Sequence, residues 1–356
     1  MKKNTIVFTG GGSAGHVTPN IAIINELSQG EWDIHYIGSI KGIEKELISE
    51  MNIPYYGISS GKLRRYMDKE NIKDLFRVLK GIIEARKLLK KLKPKLVFSK
   101  GGFVSVPVII AASSLKIPIY IHESDLTPGL ANKISQRFAD RIFTSFDEAA
   151  SHFPARKTTA IGSPIRREIF SGEKERGRAL LGFTDERPIL TVMGGSLGAK
   201  KMNETIRESL QELTSIYQIV HLCGKGQKDE SLINIKGYRQ FEYISNELAD
   251  ILAATDTVVT RGGSNAIFEF LALKLPMLII PLTKKQSRGD QIQNAESFLK
   301  KGFSLTLEEE NLTKESLLES LDKLEKKRGQ IINNMQASPM SDALTVLIKE
   351  INKHRR

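Results

Sequence analysis

A short apolar run that passes straight into a glycine-rich turn and then a helical stretch occurs twice in this 356-residue chain. No other feature restricts the fold as much. The first copy is residues 5–9, then Gly10-Gly11-Gly12-Ser13-Ala14-Gly15-His16, then a helix expected over 20–28 with Ile21, Ile24 and Leu27 on one side. The second is residues 188–193, then Gly194-Gly195-Ser196-Leu197-Gly198-Ala199, then a helix over 200–213. Apolar runs at 33–37, 96–99, 117–121 and 141–144 follow the first copy, and runs at 218–223, 257–260 and 277–280 follow the second. Strands alternating with helices specify parallel sheets with helical crossovers. The expected fold is therefore α/β, with two Rossmann-like, doubly wound domains, and the length suits two cores of about 150–200 residues. Pro164 disfavours helix at the residue before it, which puts the linker near Gly162-Ser163-Pro164. The expected division is 1–163, 164–340 and a C-terminal helix in 341–356 that packs back on the first domain, its apolar stripe being Leu344, Leu347, Ile348 and Ile351.

Several classes are excluded early. Cys223 is the only cysteine, so neither an intrachain disulfide nor a multi-cysteine metal site can form. No run approaches the roughly 18–20 apolar residues of a spanning helix. The N-terminus enters a strand without a signal-peptide pattern, so a cytoplasmic compartment is expected. The net charge of +12 is unevenly placed: residues 61–100 hold fourteen Lys or Arg against four Asp or Glu. That basic segment is aliphatic rather than aromatic, which favours an anionic membrane surface over nucleic acid.

The polar loops stand where parallel sheets collect ligands, at the strand C-termini. The first has the G-x-G-x-x-G spacing through Gly10, Gly12 and Gly15, which lets the backbone approach a phosphate. A dinucleotide reader should also carry an acid at the end of its second strand. Here that strand ends Tyr36-Ile37-Gly38-Ser39, which counts against a dehydrogenase. His16 closes the loop, and its ordinary pKa suits removal of a proton from a sugar hydroxyl. Ser99-Lys100-Gly101-Gly102-Phe103 and His122-Glu123-Ser124-Asp125 end two further strands. In the second half, Arg261-Gly262-Gly263-Ser264 opens a helix, with Ser264 expected as N-cap. Glu269 then lies more than a turn inside, where a carboxylate can accept both hydroxyls of a ribose. Asp290-Gln291-Ile292-Gln293-Asn294-Ala295 sets amides at another helix start.

Taken in order, Gly10–His16, Lys100–Phe103, His122-Glu123, Gly162–Arg166, Gly194–Ala199, Gly263–Glu269 and Asp290–Ala295 resemble the MurG family of N-acetylglucosaminyltransferases. The likeness runs from Ile6 to about Ala295. It implies a GT-B fold, two Rossmann-like domains facing across a cleft, and inverting transfer of GlcNAc from UDP-GlcNAc to undecaprenyl-pyrophosphoryl-MurNAc-pentapeptide (lipid I to lipid II). It implies a peripheral enzyme on the cytoplasmic face of the cell membrane. Carried over, Arg166 and the Ile244 backbone lie by the uracil, Glu269 holds the ribose, Ser196 the diphosphate and Gln291 the sugar hydroxyls. Ser13, Ala14, Gly15, Lys100, Gly101 and Gly102 face the acceptor diphosphate and the cleft, with His16 and Asp125 near the reacting atoms. Ala14, Ser163 and Asp125 depart from the family's commoner residues. Asp125 brings a charge where an amide is usual, and so becomes a rival base.

No cofactor is implied. The cleft loops hold no Asp-x-Asp pair, so no tightly bound metal is required, although a loosely associated divalent cation is compatible. An epimerase on the same fold would share the nucleotide half but leave the basic segment unexplained, and a membrane scaffold would not need Glu269 and Gln291. In the basic segment, helical geometry puts Phe76, Leu79 and Ile83 on one face and Leu75, Val78 and Ile82 on the adjoining one. The first face is assigned to the sheet and the second to lipid. Arg64, Arg65 and Lys69 on one side, and Arg86, Lys87, Lys90 and Lys91 on the other, bracket them.

Overall fold

The computed structural model describes residues 4–61, 69–195, 199–245, 247–284, 286 and 289–355, without the side chains of 69–73 and 341. The chain divides into two compact units, Met1–Arg166 with Asp342–Arg356, and Arg167–Ser341.

The first unit contains β1 (Asn4–Thr9), α1 (Thr18–Ser28), β2 (Trp32–Ser39), α2 (Ile43–Ser49), β3 (Tyr55–Ile58), α3 (Lys69–Leu92), β4 (Leu96–Ser99), α4 (Ser105–Ser114), β5 (Ile119–Glu123), α5 (Leu130–Ser135), β6 (Arg141–Thr144) and β7 (Thr158–Ala160). Among the described residues its strands form one parallel sheet in the order β3-β2-β1-β4-β5-β6-β7. The strand order reverses between β1 and β4, and in such sheets that is where a crevice opens. β1 shows why both faces are covered. Ile6 and Phe8 pack with α1 and the C-terminal helix Ala343–Asn352, through Ile24, Leu344, Leu347 and Ile351. Val7, between them, points to the other face and joins Ala85, Leu89 and Val108. Period-two alternation with apolar residues at every position is what a parallel strand buried on both sides requires. Burial of each such side chain contributes about 1.5–3 kcal/mol. The C-terminal helix is tied down by a hydrogen bond of 2.9 Å from Trp32 Nε1 to Asn352 Oδ1 and by one from Asn4 Nδ2 to the Arg355 carbonyl.

The second unit contains β8 (Ile189–Met193), β9 (Gln218–Leu222), β10 (Tyr238–Phe241), β11 (Thr257–Thr260), β12 (Met277–Ile279) and β13 (Ser304–Thr306). They too are all parallel, in the order β10-β9-β8-β11-β12-β13, with the reversal between β8 and β11. In each unit a glycine loop follows the strand at the reversal.

α3 corrects the sequence reading. Val78 is buried, and Ile82 packs against the sheet-side cluster, so neither is presented to lipid. The exposed apolar residues are Leu75 (53%), Phe76 (68%), Leu79 (50%) and Ile83 (57%). The face was decided by size. Asp74, Val78, Gly81, Ala85 and Leu89 line the buried side. A Cβ on Gly81 would run into the Ser59 carbonyl and come within 3.3 Å of Pro107. The helix therefore approaches its neighbours along its small residues, and the bulky face is left outside. Arg64 and Arg65 lie outside the described residues, as does the side chain of Lys69.

Candidate active site

In the first unit the loop after β1 is held from beneath. Tyr36 Oη donates to the Gly10 carbonyl (2.8 Å), and Asn20 Nδ2 donates to the Thr9 carbonyl (3.2 Å). Glu44, fully buried at the start of α2, accepts from the Gly12 amide (3.2 Å) and the Ser39 amide (3.0 Å). Sequence reasoning missed Glu44. It lies five residues past the end of the second strand, and Lys41, Lys45 and Glu46 around it make it read as one more solvated charge. It binds the loop's own amide, so the Gly12 N–H is not directed at a phosphate. Ser13 and Gly15 are exposed and Ala14 is partly so. His16, half-buried, shares a 2.9 Å hydrogen bond with Ser13 through Nδ1. Burial lowers its pKa first, and the charge of Lys100 second, against the opposing pull of Asp125, the Gly11 backbone and Glu44.

The loop after β4 interlocks with the first. Gly12 (φ +84°) has its α-carbon against Phe103, where a Cβ would come within 2.7 Å of the ring, and Gly102 (φ +83°) lies against the Gly11 backbone. Both positions need glycine for conformation and for space. Lys100 does not present its charge to the loop surface. Its side chain is 1% exposed, and Nζ donates to His122 Nδ1 and to Ser124 Oγ, each at 2.6 Å. His122 Nε2 faces the Gly162 carbonyl at 3.0 Å, so it carries the proton and Nδ1 accepts. Burial, then Lys100, push the His122 pKa well below the ordinary value, and the ring is neutral. Glu123 organises the turn after β5 by accepting from the amides of Ser124 (2.8 Å), Asp125 (3.1 Å) and Gly129 (3.1 Å) and from Asn132 Nδ2 (2.9 Å). Burial raises its pKa, and nearby Asp125 adds to the rise. His16, Lys100 and Asp125 are thus brought together at the ends of β1, β4 and β5. Gly101 packs against Asn132.

In the second unit Ser196 lies outside the described residues. Gly263, not Ser264, caps the helix Ser264–Leu273, because the helical dihedrals begin at Ser264. Glu269 is half-buried on that helix between buried Phe268 and Phe270. Arg261 is buried, donates to the Ile280 carbonyl (3.1 Å) and pairs with Glu309, which fixes the ends of β11 and β12 together. Gly262 abuts the Gln291 carbonyl, and Asn294 Nδ2 donates to the Gly262 carbonyl (3.0 Å). The starts of helices Ser264–Leu273 and Asp290–Lys300 are therefore adjacent, bringing the elements that carry Glu269 and Gln291 together. Gln291 Oε1 accepts from the Leu282 amide (3.1 Å), an orientation that leads with the amide nitrogen. Ile244 is buried with Phe241 and Leu248 beyond β10. Arg166, half-buried, is the last residue of the first stretch of unit one, not a member of unit two.

The chain matches the glycosyltransferase family 28 N-terminal domain over residues 6–144 and the family's C-terminal domain over 189–351. A protein of Shouchella clausii (strain KSM-K16) named UDP-N-acetylglucosamine--N-acetylmuramyl-(pentapeptide) pyrophosphoryl-undecaprenol N-acetylglucosamine transferase is 57% identical over 353 residues, 99% of each chain. A protein of the same name from Clostridium perfringens (strain SM101 / Type A) is 51% identical over 99% of each. Among solved structures, Acinetobacter baumannii MurG aligns with a TM-score of 0.78 at 23% identity, covering 98% of this chain and 99% of that one. A UDP-GlcNAc 2-epimerase from Methanocaldococcus jannaschii aligns at 0.65 and 18%, covering 98% and 99%. These structural likenesses establish the GT-B-type fold and no more, since transferase and epimerase share it.

Proposed function

The chain belongs to glycosyltransferase family 28, and from that premise we propose that it transfers GlcNAc from UDP-GlcNAc to the C4 hydroxyl of undecaprenyl-pyrophosphoryl-MurNAc-pentapeptide, the lipid II-forming step of peptidoglycan synthesis. The observation that carries this is identity of 57% along 99% of both chains with a transferase of that name. The fold alone does not choose between transferase and epimerase.

In the second unit Glu269 accepts the two ribose hydroxyls, and the Gln291 amide nitrogen donates to the sugar. The Ile244 backbone meets the uracil, and Ser196 the diphosphate. In the first unit the exposed rim Ser13–Gly15 and the Gly102 amide receive the acceptor, while the Gly101 amide is held by Ser99 Oγ (3.0 Å). The acceptor O4 forms a bond to the anomeric carbon as the bond to the UDP oxygen breaks on the opposite face. The hydroxyl proton passes to His16, with Asp125 as the rival. Backbone amides beside the diphosphate stabilise the charge that collects there as it leaves.

The lipid-linked acceptor demands a membrane-adjacent enzyme. No helix among the described residues is long and apolar enough to cross a membrane. The support for peripheral docking on the cytoplasmic leaflet is the exposed face of α3, Leu75, Phe76, Leu79 and Ile83, with exposed Arg77, Lys80, Arg86, Lys87, Lys90 and Lys91 along the same helix. The deciding experiment measures UDP release with and without the lipid-linked acceptor. Release that depends on acceptor supports transfer. Release without acceptor, or conversion of UDP-GlcNAc to an epimer, rejects it.

A further inference from the structure

Lys100 is an unusual resident of a protein interior. A buried lysine costs stability unless its ammonium is well partnered, and here it reaches three strand ends at once. Its backbone amide donates to the Thr9 carbonyl at the end of β1 (3.1 Å), its own position ends β4, and Nζ binds His122 and Ser124 at the end of β5. His122 continues the chain of bonds to Gly162. A Cβ added to Gly10 would be 2.9 Å from the His16 carbonyl oxygen and 3.4 Å from Lys100 Cβ, so the lysine stem and the His16 backbone meet at one glycine.

From this placement we propose that Lys100 is a positioning residue for the transfer: its buried ammonium fastens the turn that carries Asp125 to the end of β4 and holds a positive charge beside His16. The inference rests on the reading that His16 and Asp125 stand at the acceptor hydroxyl. Facing His16 are Lys100 from the end of β4, Asp125 from the turn after β5, Glu44 from α2, and Ser13 and the Gly11 backbone from its own loop. Around Lys100 are His122 and Ser124 as bonded partners, with Glu123 and Asp125 as the nearby carboxylates. Burial lowers the Lys100 pKa to about 7, while Glu123 and Asp125 resist the change. Below that pH the lysine is a cation, which disfavours a second positive charge on the imidazole and keeps His16 able to accept a proton.

The test follows the His16 imidazole by NMR across pH in wild type, Lys100→Met and Ser124→Ala. Lys100→Met removes the charge at similar length, so His16 should take its proton about one pH unit higher. Ser124→Ala keeps the charge and should leave that titration in place. In the unmutated protein the His16 resonance should show a second inflection near pH 7 as Lys100 discharges. An unchanged His16 titration in folded Lys100→Met overturns the proposal. Should that variant not fold, a wild-type His16 resonance that does not respond at the pH where Lys100, followed by its own Nζ resonance, loses its proton overturns it. The acid limb of kcat separates the two readings. A limb that moves with the imidazole in Lys100→Met supports both. A limb that stays while the imidazole moves takes the base role from His16 and leaves the placement of Lys100 supported.

Discussion

The α-carbon of Gly102 lies so close to the carbonyl oxygen of Gly11 that a Cβ there would overlap it. The two glycine loops of the first unit are therefore one packed object, not two independent phosphate turns.

Gly102→Ala should accordingly be costly. Its φ of +83° already disfavours a side chain, and the overlap is with backbone, which cannot swing aside. A loss of more than about 1 kcal/mol in urea unfolding is expected, together with reduced turnover. Gly129→Ala is the control, because a Cβ there meets nothing within 4 Å and φ is −63°. It should stay within about 0.5 kcal/mol of wild type. Equal stability of the two variants would refute the interlock.

Glu269→Ala should weaken UDP binding by about 2–3 kcal/mol, the scale of hydrogen bonds to a charged group. The residue is half-buried and its helix is anchored by Ile267, Phe268, Phe270 and Leu271, so the variant should fold. Calorimetric titration with UDP decides this, and unchanged affinity in a folded variant removes Glu269 from the ribose.

His16→Ala should lower kcat about 10²–10⁴-fold with little change in donor affinity. The wild-type kcat should fall on the acid side at a pH below the usual imidazole value. A depressed pKa means the ring becomes protonated, and unable to accept a proton, only at lower pH. If Asp125→Asn is the more damaging change and His16→Ala turns over near normally, the base is Asp125.

Acid should destabilise the second unit through His221, whose pKa is pushed down to about 3 by burial first and by Arg207 second. Its ring nitrogens are engaged by Tyr238 (2.8 Å) and Asn203 (2.9 Å). The unfolded imidazole binds a proton near pH 6.5 and the folded one near 3. Stability from this group is full above about 6.5 and is lost as pH falls toward 3. Glu123 in the first unit, raised by burial, acts in the opposite sense, so a variant comparison is needed. The drop in urea midpoint from pH 7 to pH 5 should shrink in His221→Gln, and an identical drop would contradict the assignment.

How much of this was legible follows from which residues are buried. The strands read from sequence correspond to the interior strands of both sheets, each of which holds at least two fully buried apolar residues, such as Ile6, Val7 and Phe8 in β1 or Val258 and Val259 in β11. The strands not read are β3, β7, β10 and β13, and these are the four sheet edges. Tyr-Tyr-Gly-Ile, Thr-Thr-Ala, Tyr-Arg-Gln-Phe and Ser-Leu-Thr are short and largely half-exposed, so they carry little periodic signal. The loops of the site were visible because glycine and polar residues punctuate strand ends. Their internal wiring was not, since Glu44 and Lys100 look in sequence like solvated charges. That they point inward depends on contacts across 32 residues and 22 residues of chain.

The exposed face of α3 gives the membrane proposal a sharper form than sequence allowed. Leu75, Phe76, Leu79 and Ile83 are each at least half exposed, which for four bulky apolar side chains on one helix needs an occupant. Six exposed cations on the same helix could each add up to about 1 kcal/mol beside anionic headgroups. Replacing all four apolar residues by Ser should abolish sedimentation with vesicles containing phosphatidylglycerol and leave the urea midpoint nearly unchanged. Val78→Ser should do the reverse, because Val78 is 7% exposed and its hydroxyl replacement would be buried against the unit. Binding should also weaken as salt rises or as anionic lipid is withdrawn, since the cationic part is screened. If Val78→Ser loses vesicle binding while folded, or the fourfold variant binds as wild type, α3 docks by another face. If wild-type binding ignores lipid charge and salt, the cations have no part in it and the helix is not the anchor proposed.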